Sequence, residues 1–286
     1  MSETAKPTDP TFRTYTTSQA AAYAAGRGGY TRTLYDEILD RHEASGGAFT
    51  SLLDVGCGTG SATRDLATRF TVARGVDPGE SMIAIASQLG GTTATGALVE
   101  FSVIAAEDIA STDGLGPESV DLVTAAMALK SLFLTDPSTP NATRVQQILS
   151  HLEDVILAPY VLPQNLLSRN LYRALPLPWD TTPSIDEFDK NSYVRVEWDA
   201  DGILSNGIDF FGGSDIDSLA DLANSLGTAS MVTRWREANP ELVGTDKDCV
   251  TQTMKELKEA LDANDLETTT LKTGAASVLI LVKKHL

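Results

Sequence analysis

The sequence predicts an α/β fold: a doubly wound, mostly parallel sheet with helices packed on it. Three observations carry this. Short apolar segments alternate with helical ones through the first half of the chain. A glycine turn, Gly56-Cys57-Gly58-Thr59-Gly60, sits where the first apolar segment gives way to a helix. Each interval between apolar segments is long enough for the crossover that parallel strands need.

The elements follow in order. Residues 18–45 read as helical with a break at Gly26-Arg27-Gly28-Gly29, and Leu34, Ile38, Leu39 and His42 recur at helical spacing. Residues 50–55, 72–76, 99–104 and 120–125 are the expected strands, with helices over 61–70 and 81–88. After Ala128 the pattern changes. Residues 142–157 place Val145, Ile148, Leu149, Leu152 and Ile156 on one helix face, and a proline-rich stretch follows. Residues 193–198 alternate like an exposed strand. Ser214-x-x-Asp217 and Thr245-x-x-Asp248 read as helix caps. Residues 266–272 and 276–283 around Thr273-Gly274 suggest a closing hairpin. The first 14 residues are expected to be disordered, residues 15–286 to form one domain, and about 142–261 to form a helical lid over the sheet's carboxyl edge.

Composition narrows the function classes. Hydrophobic content of 42% and charged content of 21% suit an ordinary globular protein. No apolar run approaches a membrane span, and residues 1–17 hold no apolar core of a secretory signal. Two distant cysteines, Cys57 and Cys249, form neither a disulfide framework nor a metal motif, so a reducing cytoplasm is expected and no metal. The net charge is -17, and between Arg74 and Lys130 there are eight acids and no base. Such a chain repels phosphate backbones, so nucleic acid is not an expected partner, and without a long apolar run neither is a membrane. Oligomeric state is not legible.

The chemistry concentrates in Asp54-Val55-Gly56-Cys57-Gly58-Thr59-Gly60. Glycine permits positive φ and lets a ligand approach the backbone. The helix that follows offers free N–H groups and a partial positive charge. Asp54 stands two residues before the first glycine, the loop is GxGxG and not the dinucleotide GxGxxG, and Asp77 closes the next strand, where a carboxylate can accept from both ribose hydroxyls. These features weigh against a nicotinamide-dependent oxidoreductase.

With those residues the chain resembles the class I S-adenosylmethionine-dependent methyltransferases, and more narrowly the fungal group related to trans-aconitate methyltransferases. Val76-Asp77-Pro78-Gly79-Glu80-Ser81-Met82-Ile83 is similar to the second family motif, Ala105-Ala106-Glu107-Asp108-Ile109 to the adenine-contact segment, and residues 121–128 to the fourth strand. Residues 23–30 resemble the family's N-terminal segment, and 231–235 part of its C-terminal region. The resemblance implies a Rossmann-like fold with S-adenosylmethionine as donor. It implies donor-binding roles for Asp54, Gly56, Cys57, Gly58, Gly60, Asp77, Pro78, Met82, Ala106, Glu107, Asp108 and Ala126, with Arg27 and Tyr30 near the methionine end. Trp198, Trp235 and Arg236 are candidate acceptor contacts, the acceptor being a small molecule such as a carboxylate or secondary metabolite. An anionic acceptor would need local bases such as Arg27, Arg195, Arg234 or Arg236. No catalytic residue is assigned, because methyl transfer rests mainly on alignment, and none of the three histidines has an acid or nucleophile partner.

One departure stands out. The family continues from its fourth strand into a helix, a Lys-Pro-Gly-Gly-type turn and a fifth strand. Here Leu129-Lys130-Ser131-Leu132-Phe133 leads directly into Asp136-Pro137-Ser138-Thr139-Pro140. About 30 residues, one helix–strand unit, are missing. Residues 276–282 should then pair directly with 120–125, or a sheet edge stays open. A SAM-binding but catalytically impaired form is the alternative that this gap raises.

Overall fold

The structure is a computed structural model that describes residues 11–27, 29–116, 118–126, 131–204 and 215–285. The chain divides into two compact units, Met1–Ala128 with Asn224–Arg234, and Leu129–Ala223 with Trp235–Leu286.

The first unit is built on a parallel sheet. Its strands are β1 (Ser51–Val55), β2 (Val72–Asp77), β3 (Glu100–Val103) and β4 (Leu122–Thr124), in the order β3-β2-β1-β4. Helices α1 (Thr17–Gly26), α2 (Arg32–Ala44), α3 (Ser61–Ala67) and α4 (Glu80–Leu89) accompany it. Leu52 and Leu53 are neighbours on β1 and must point to opposite faces. Leu52 packs with Tyr35, Leu39, Leu66 and Phe70 beneath α2 and α3. Leu53 packs with Val76 and Leu115 on the other face. Both faces are therefore covered, which is why β1 reads as a continuous apolar run. The order turns at β1, so the carboxyl ends of β1 and β4 flank the switch point, where open α/β sheets bind ligands.

The expected lead-in begins outside the described residues, but Thr11–Thr14 forms a 3-10 turn. Phe12 holds it there by edge contacts with Tyr15 and Tyr23. Among the described residues β4 has one strand neighbour, β1, and Val123 is 57% exposed. Among the described residues no pairing of 276–282 with 120–125 is found.

The second unit holds an antiparallel sheet of β5 (Ser131–Thr135), β6 (Phe188–Trp198), β7 (Asp215–Ser218) and β8 (Thr270–Lys284). Here the expected hairpin is corrected: β8 runs straight through Thr273-Gly274. Thr273 pairs with Thr135 on one side and Asp215 on the other, and residues 277–284 pair with β6. Gly274 is not among the positive-φ residues, so it makes no turn. Partners in succession hold β8 as one long strand, β7 and β5 over residues 270–276 and β6 over 277–284.

Helices α5 (Ala142–His151), α6 (Pro163–Arg169), α7 (Leu219–Gly227), α8 (Ser230–Ala238) and α9 (Cys249–Ala260) complete the chain. α5 buries Val145, Ile148 and Leu149 as its periodicity requires, then continues into a π-helical turn, Leu152–Ile156. Both expected caps shift. Ser214 lies outside the described residues, and the Oγ of Ser218, one turn on, accepts the Asp221 N–H at 3.0 Å. At α9 the cap is Asp248 and not Thr245. Its carboxylate accepts from Val250 and Thr251 and is held by Arg236, whereas the Thr245 hydroxyl accepts the Lys247 N–H. No helix among the described residues is long and apolar enough to cross a membrane.

Candidate functional site: a cleft at the glycine loop

The glycine loop is tied to the end of β2. The N–H groups of Gly56 and Cys57 both donate to the Val76 carbonyl, at 2.8 and 3.0 Å. Gly58 N–H donates to Asp77 Oδ2 at 3.0 Å and Gly79 N–H to Oδ1 at 2.7 Å. The side chain of Asp77 thus links two loops. Gly58 and Gly60 have φ of 56° and 79°, in the left-handed region that favours glycine. Their surroundings differ. A Cβ on Gly58 would meet nothing within 4 Å, so this glycine opens onto the cleft. A Cβ on Gly60 would lie 2.6 Å from the Phe101 ring, so that glycine serves packing.

Asp54 organises the loop from beneath. It is 1% exposed, its Oδ2 accepts the Thr63 hydroxyl at 2.5 Å, and its Oδ1 accepts the Thr124 hydroxyl at 2.8 Å. One carboxylate therefore joins β1, α3 and β4. Burial raises its pKa, the two hydroxyl bonds pull it back, and nearby Asp77 adds to the rise. Burial also raises the pKa of Asp77, against the pull of the Gly79 and Gly58 N–H groups. The Cys57 thiol is pushed well up by burial and then by Asp54 and Asp77. It stays protonated and is no nucleophile.

The cleft lies wholly within the first unit. It is lined by Tyr23, Arg27 and Tyr30, by the glycine loop, and by Arg64 and Ala126. Arg27 Nε donates to Thr228 Oγ1 at 3.1 Å, and its guanidinium sits 5.4 Å from the Tyr23 ring centroid. Tyr30 meets Tyr35 edge-on.

Of the residues singled out from sequence, Arg27, Tyr30, Asp54, Gly56, Cys57, Gly58 and Ala126 line this cleft. Gly60 and Asp77 shape its loop, and Pro78 follows Asp77, half-buried. Ala106, Glu107 and Asp108 are exposed on the 3-10 turn Ala106–Ser111. That turn is brought to the end of β2 because Ile104 N–H donates to the Asp77 carbonyl. Met82 is not at the cleft surface: it is 1% exposed and packs with Tyr15, Ala20 and Ile85, since α4 turns its apolar face inward.

Trp198, Trp235 and Arg236 belong to the second unit and do not line the cleft. Trp198 is a rung of the β6–β8 ladder, opposite Ser277, and Trp235 is buried. Arg236 makes a two-pronged ion pair with Asp248 that fixes the start of α9. Arg195 and Arg234 are likewise engaged, with Glu197 and with Thr11. Sequence reading missed Thr63, Thr124 and Arg64. A threonine on the core-facing side of α3 was the only signal for Thr63. Thr124 lies 70 residues from Asp54, with nothing local to mark the pairing.

Comparison with known proteins bears on the fold. Residues 53–147 match the family model described as a methyltransferase domain. A stretch of 111 residues is 34% identical to the probable S-adenosylmethionine-dependent methyltransferase CRG1 of Saccharomyces cerevisiae, covering 39% of this chain. The match spans only 36% of that curated relative's length. In three dimensions the chain is similar to a candidate type II methyltransferase of Anaeromyxobacter dehalogenans, with a TM-score of 0.56 and 22% identity over 90% of this chain and 97% of that one. The parallel sheet, its helices and the glycine loop are those of the Rossmann-like methyltransferase fold, and residues 53–147 carry the match to the methyltransferase domain.

Proposed function

We propose that the protein is an S-adenosylmethionine-dependent methyltransferase acting on a small molecule, in the manner of the trans-aconitate methyltransferase group, with a carboxylate or a secondary metabolite as acceptor. One observation carries the donor half of this reading: Gly58 faces the cleft with no side chain and is bonded to the strand-end carboxylate of Asp77. The site fits such a donor on its own terms. Gly56 and Gly58 leave open space where any other residue would place a Cβ, and Asp77 and Asp54 supply acceptors at the ends of adjacent strands.

When bound, the donor supplies an electrophilic methyl on a sulfonium sulfur. The chain's own work is then to bind and align. Asp77 is offered to the ribose hydroxyls, with the turn at Ala106, Glu107 and Asp108 beside it for adenine. The Gly58 and Gly79 N–H groups orient Asp77, and Arg27 and Tyr30 line the cleft. No side chain at the cleft need act as a strong base. Two distant cysteines support a reducing cytoplasm, the lack of a long apolar run weighs against a membrane span, and the acidic composition weighs against nucleic acid as a partner.

A second reading is favoured by a specific observation. The outer edge of β4 has no strand partner among the described residues, and β4 borders the switch point. A protein that binds the donor without turning it over would fit that incomplete edge. Conversion of S-adenosylmethionine to S-adenosylhomocysteine over a panel of small carboxylates and metabolites tests both. Acceptor-dependent product supports the enzyme, and donor binding without product supports the impaired form. Binding of a nicotinamide cofactor in place of S-adenosylmethionine would overturn both.

A further inference from the structure

The 3-10 turn Thr11–Thr14 passes beside the strand-end carboxylate of Asp77. A Cβ on Gly79 would lie 2.9 Å from the Phe12 carbonyl oxygen and 3.0 Å from Asp77 Oδ1, so both oxygens crowd one point. Gly79 has a φ of -85°, which any residue adopts. The close approach of the turn and of Asp77, and not the backbone conformation, calls for glycine there. Asp77 is buried at this corner, and the charge of Arg13 on the turn pulls its pKa down against the rise from burial.

The turn is fastened at both ends, and the two fastenings differ. Just past its end the Tyr15 hydroxyl donates to the Thr228 carbonyl at 3.3 Å and lies 3.1 Å from Thr233 Oγ1. The Tyr15 ring also packs with Ala20, Met82 and Ile85, so this end is anchored in apolar contact. At the start of the turn, Arg234 Nη1 on α8 donates to the Thr11 hydroxyl at 2.8 Å. Water can replace most of what a hydrogen bond contributes, whereas apolar packing has no such substitute. The Thr11 end can therefore release while the Tyr15 end holds. Phe12, between them, meets Tyr15 and Tyr23 edge-on, and Tyr23 lines the cleft.

We propose that the turn Thr11–Thr14 is a gate at the Asp77 corner of the donor site, latched by Arg234 and hinged at Tyr15. This rests on the donor-site reading above, in which Asp77 receives the ribose hydroxyls. Donor and product pass the turn on entry and exit, and the latch sets how fast they exchange. A gate that recloses over the bound donor slows entry and exit alike, so it changes rates and leaves affinity nearly as it was. Arg234 is a positioning residue: it acts through Thr11 and touches neither the donor nor the reacting atoms.

The test is surface plasmon resonance of wild type, Arg234→Met, Thr11→Val and the double variant with S-adenosylhomocysteine. Either single change should speed association and dissociation alike, about fivefold or more, and leave Kd within about twofold. The double variant should exchange no faster than the single ones, because both remove the same bond. Thermal melts accompany each variant, and Thr11→Val carries the test if Arg234→Met does not fold. Faster dissociation without faster association would show that Arg234 only supports the shape of the site. Unchanged rates would leave the turn no gating role, and additive effects would show that the two residues do not form one latch; each of these overturns the inference. Wild-type protein that does not bind S-adenosylhomocysteine would instead overturn the donor-site reading, and this inference with it.

Discussion

The backbone N–H of Gly58 donates to Asp77 Oδ2 at 3.0 Å, so the glycine loop and the end of β2 share one carboxylate. The other oxygen takes the Gly79 N–H at 2.7 Å. Bonds from N–H groups to a charged acceptor contribute about 1.5–3 kcal/mol each. Asp77→Ala should therefore lower stability and, by freeing the loop, weaken S-adenosylmethionine binding at least about tenfold by calorimetry. Asp77→Asn keeps one acceptor oxygen and should lie between the two. Unchanged affinity in Asp77→Ala would remove Asp77 from the site.

Gly58 and Gly60 should fail differently when changed to alanine. Both carry the left-handed strain, about 1–2 kcal/mol. Gly60→Ala adds a 2.6 Å clash with Phe101 and should lower the Tm more than Gly58→Ala does. Gly58→Ala should fold with the smaller loss and bind donor poorly, because its Cβ enters the cleft. Melting and titration of the pair separate the two roles, and equal melting losses would contradict the packing role of Gly60.

A buried acid in the second unit sets a pH dependence. Glu153 sits in the π-helical turn after α5, is 5% exposed, and its Oε2 has no hydrogen-bond partner. Burial pushes its pKa from 4.5 to about 7, with Asp154 adding to the rise, against the pull of Arg169 and of the Phe133 N–H. The folded pKa is above the unfolded one. The contribution of Glu153 is therefore fully present below pH 4.5 and is lost as pH rises through about 7. The loss is on the order of 3 kcal/mol. Glu153→Gln should flatten that slope in denaturant melts at pH 5 and pH 8. A variant with the wild-type slope would assign it to another group.

Asp248 should give the opposite sign. Burial alone would raise its pKa, but the Arg236 guanidinium and the Val250 and Thr251 N–H groups hold it below the usual carboxylate range. This contribution is present above the unfolded value near 3.8 and is lost as pH falls below it. Asp248→Ala removes the cap of α9 and strands Arg236, which should cost about 2–4 kcal/mol. Arg236→Ala leaves the buried Asp248 without its cation and should cost a similar amount. If Arg236 contacts an acceptor instead, its loss should raise KM with little change in Tm.

The cleft at the glycine loop was readable in the sequence because its determinants are local. A strand ending in Asp54, glycines at fixed intervals and an acid at the next strand end are features of short segments, and the parallel pairing of β1 with β2 follows from them. The periodicity of α5 held for the same reason. The caps of α7 and α9 were misplaced by a few residues because Ser-x-x-Asp and Thr-x-x-Asp patterns recur. At α9 the start was chosen by Arg236, 12 residues away from Asp248.

Tertiary structure alone decided the rest. Thr124 closes on Asp54 across 70 residues, and Arg64 is held by glycines from two loops. β8 is one strand because β5, β6 and β7, drawn from distant parts of the chain, flank it. Periodicity reports which face of a segment is apolar, so it could locate the glycine loop and its strands. Which strand edges and polar atoms meet depends on long-range pairing, and that is fixed only when the backbone's hydrogen bonds are satisfied in the folded chain.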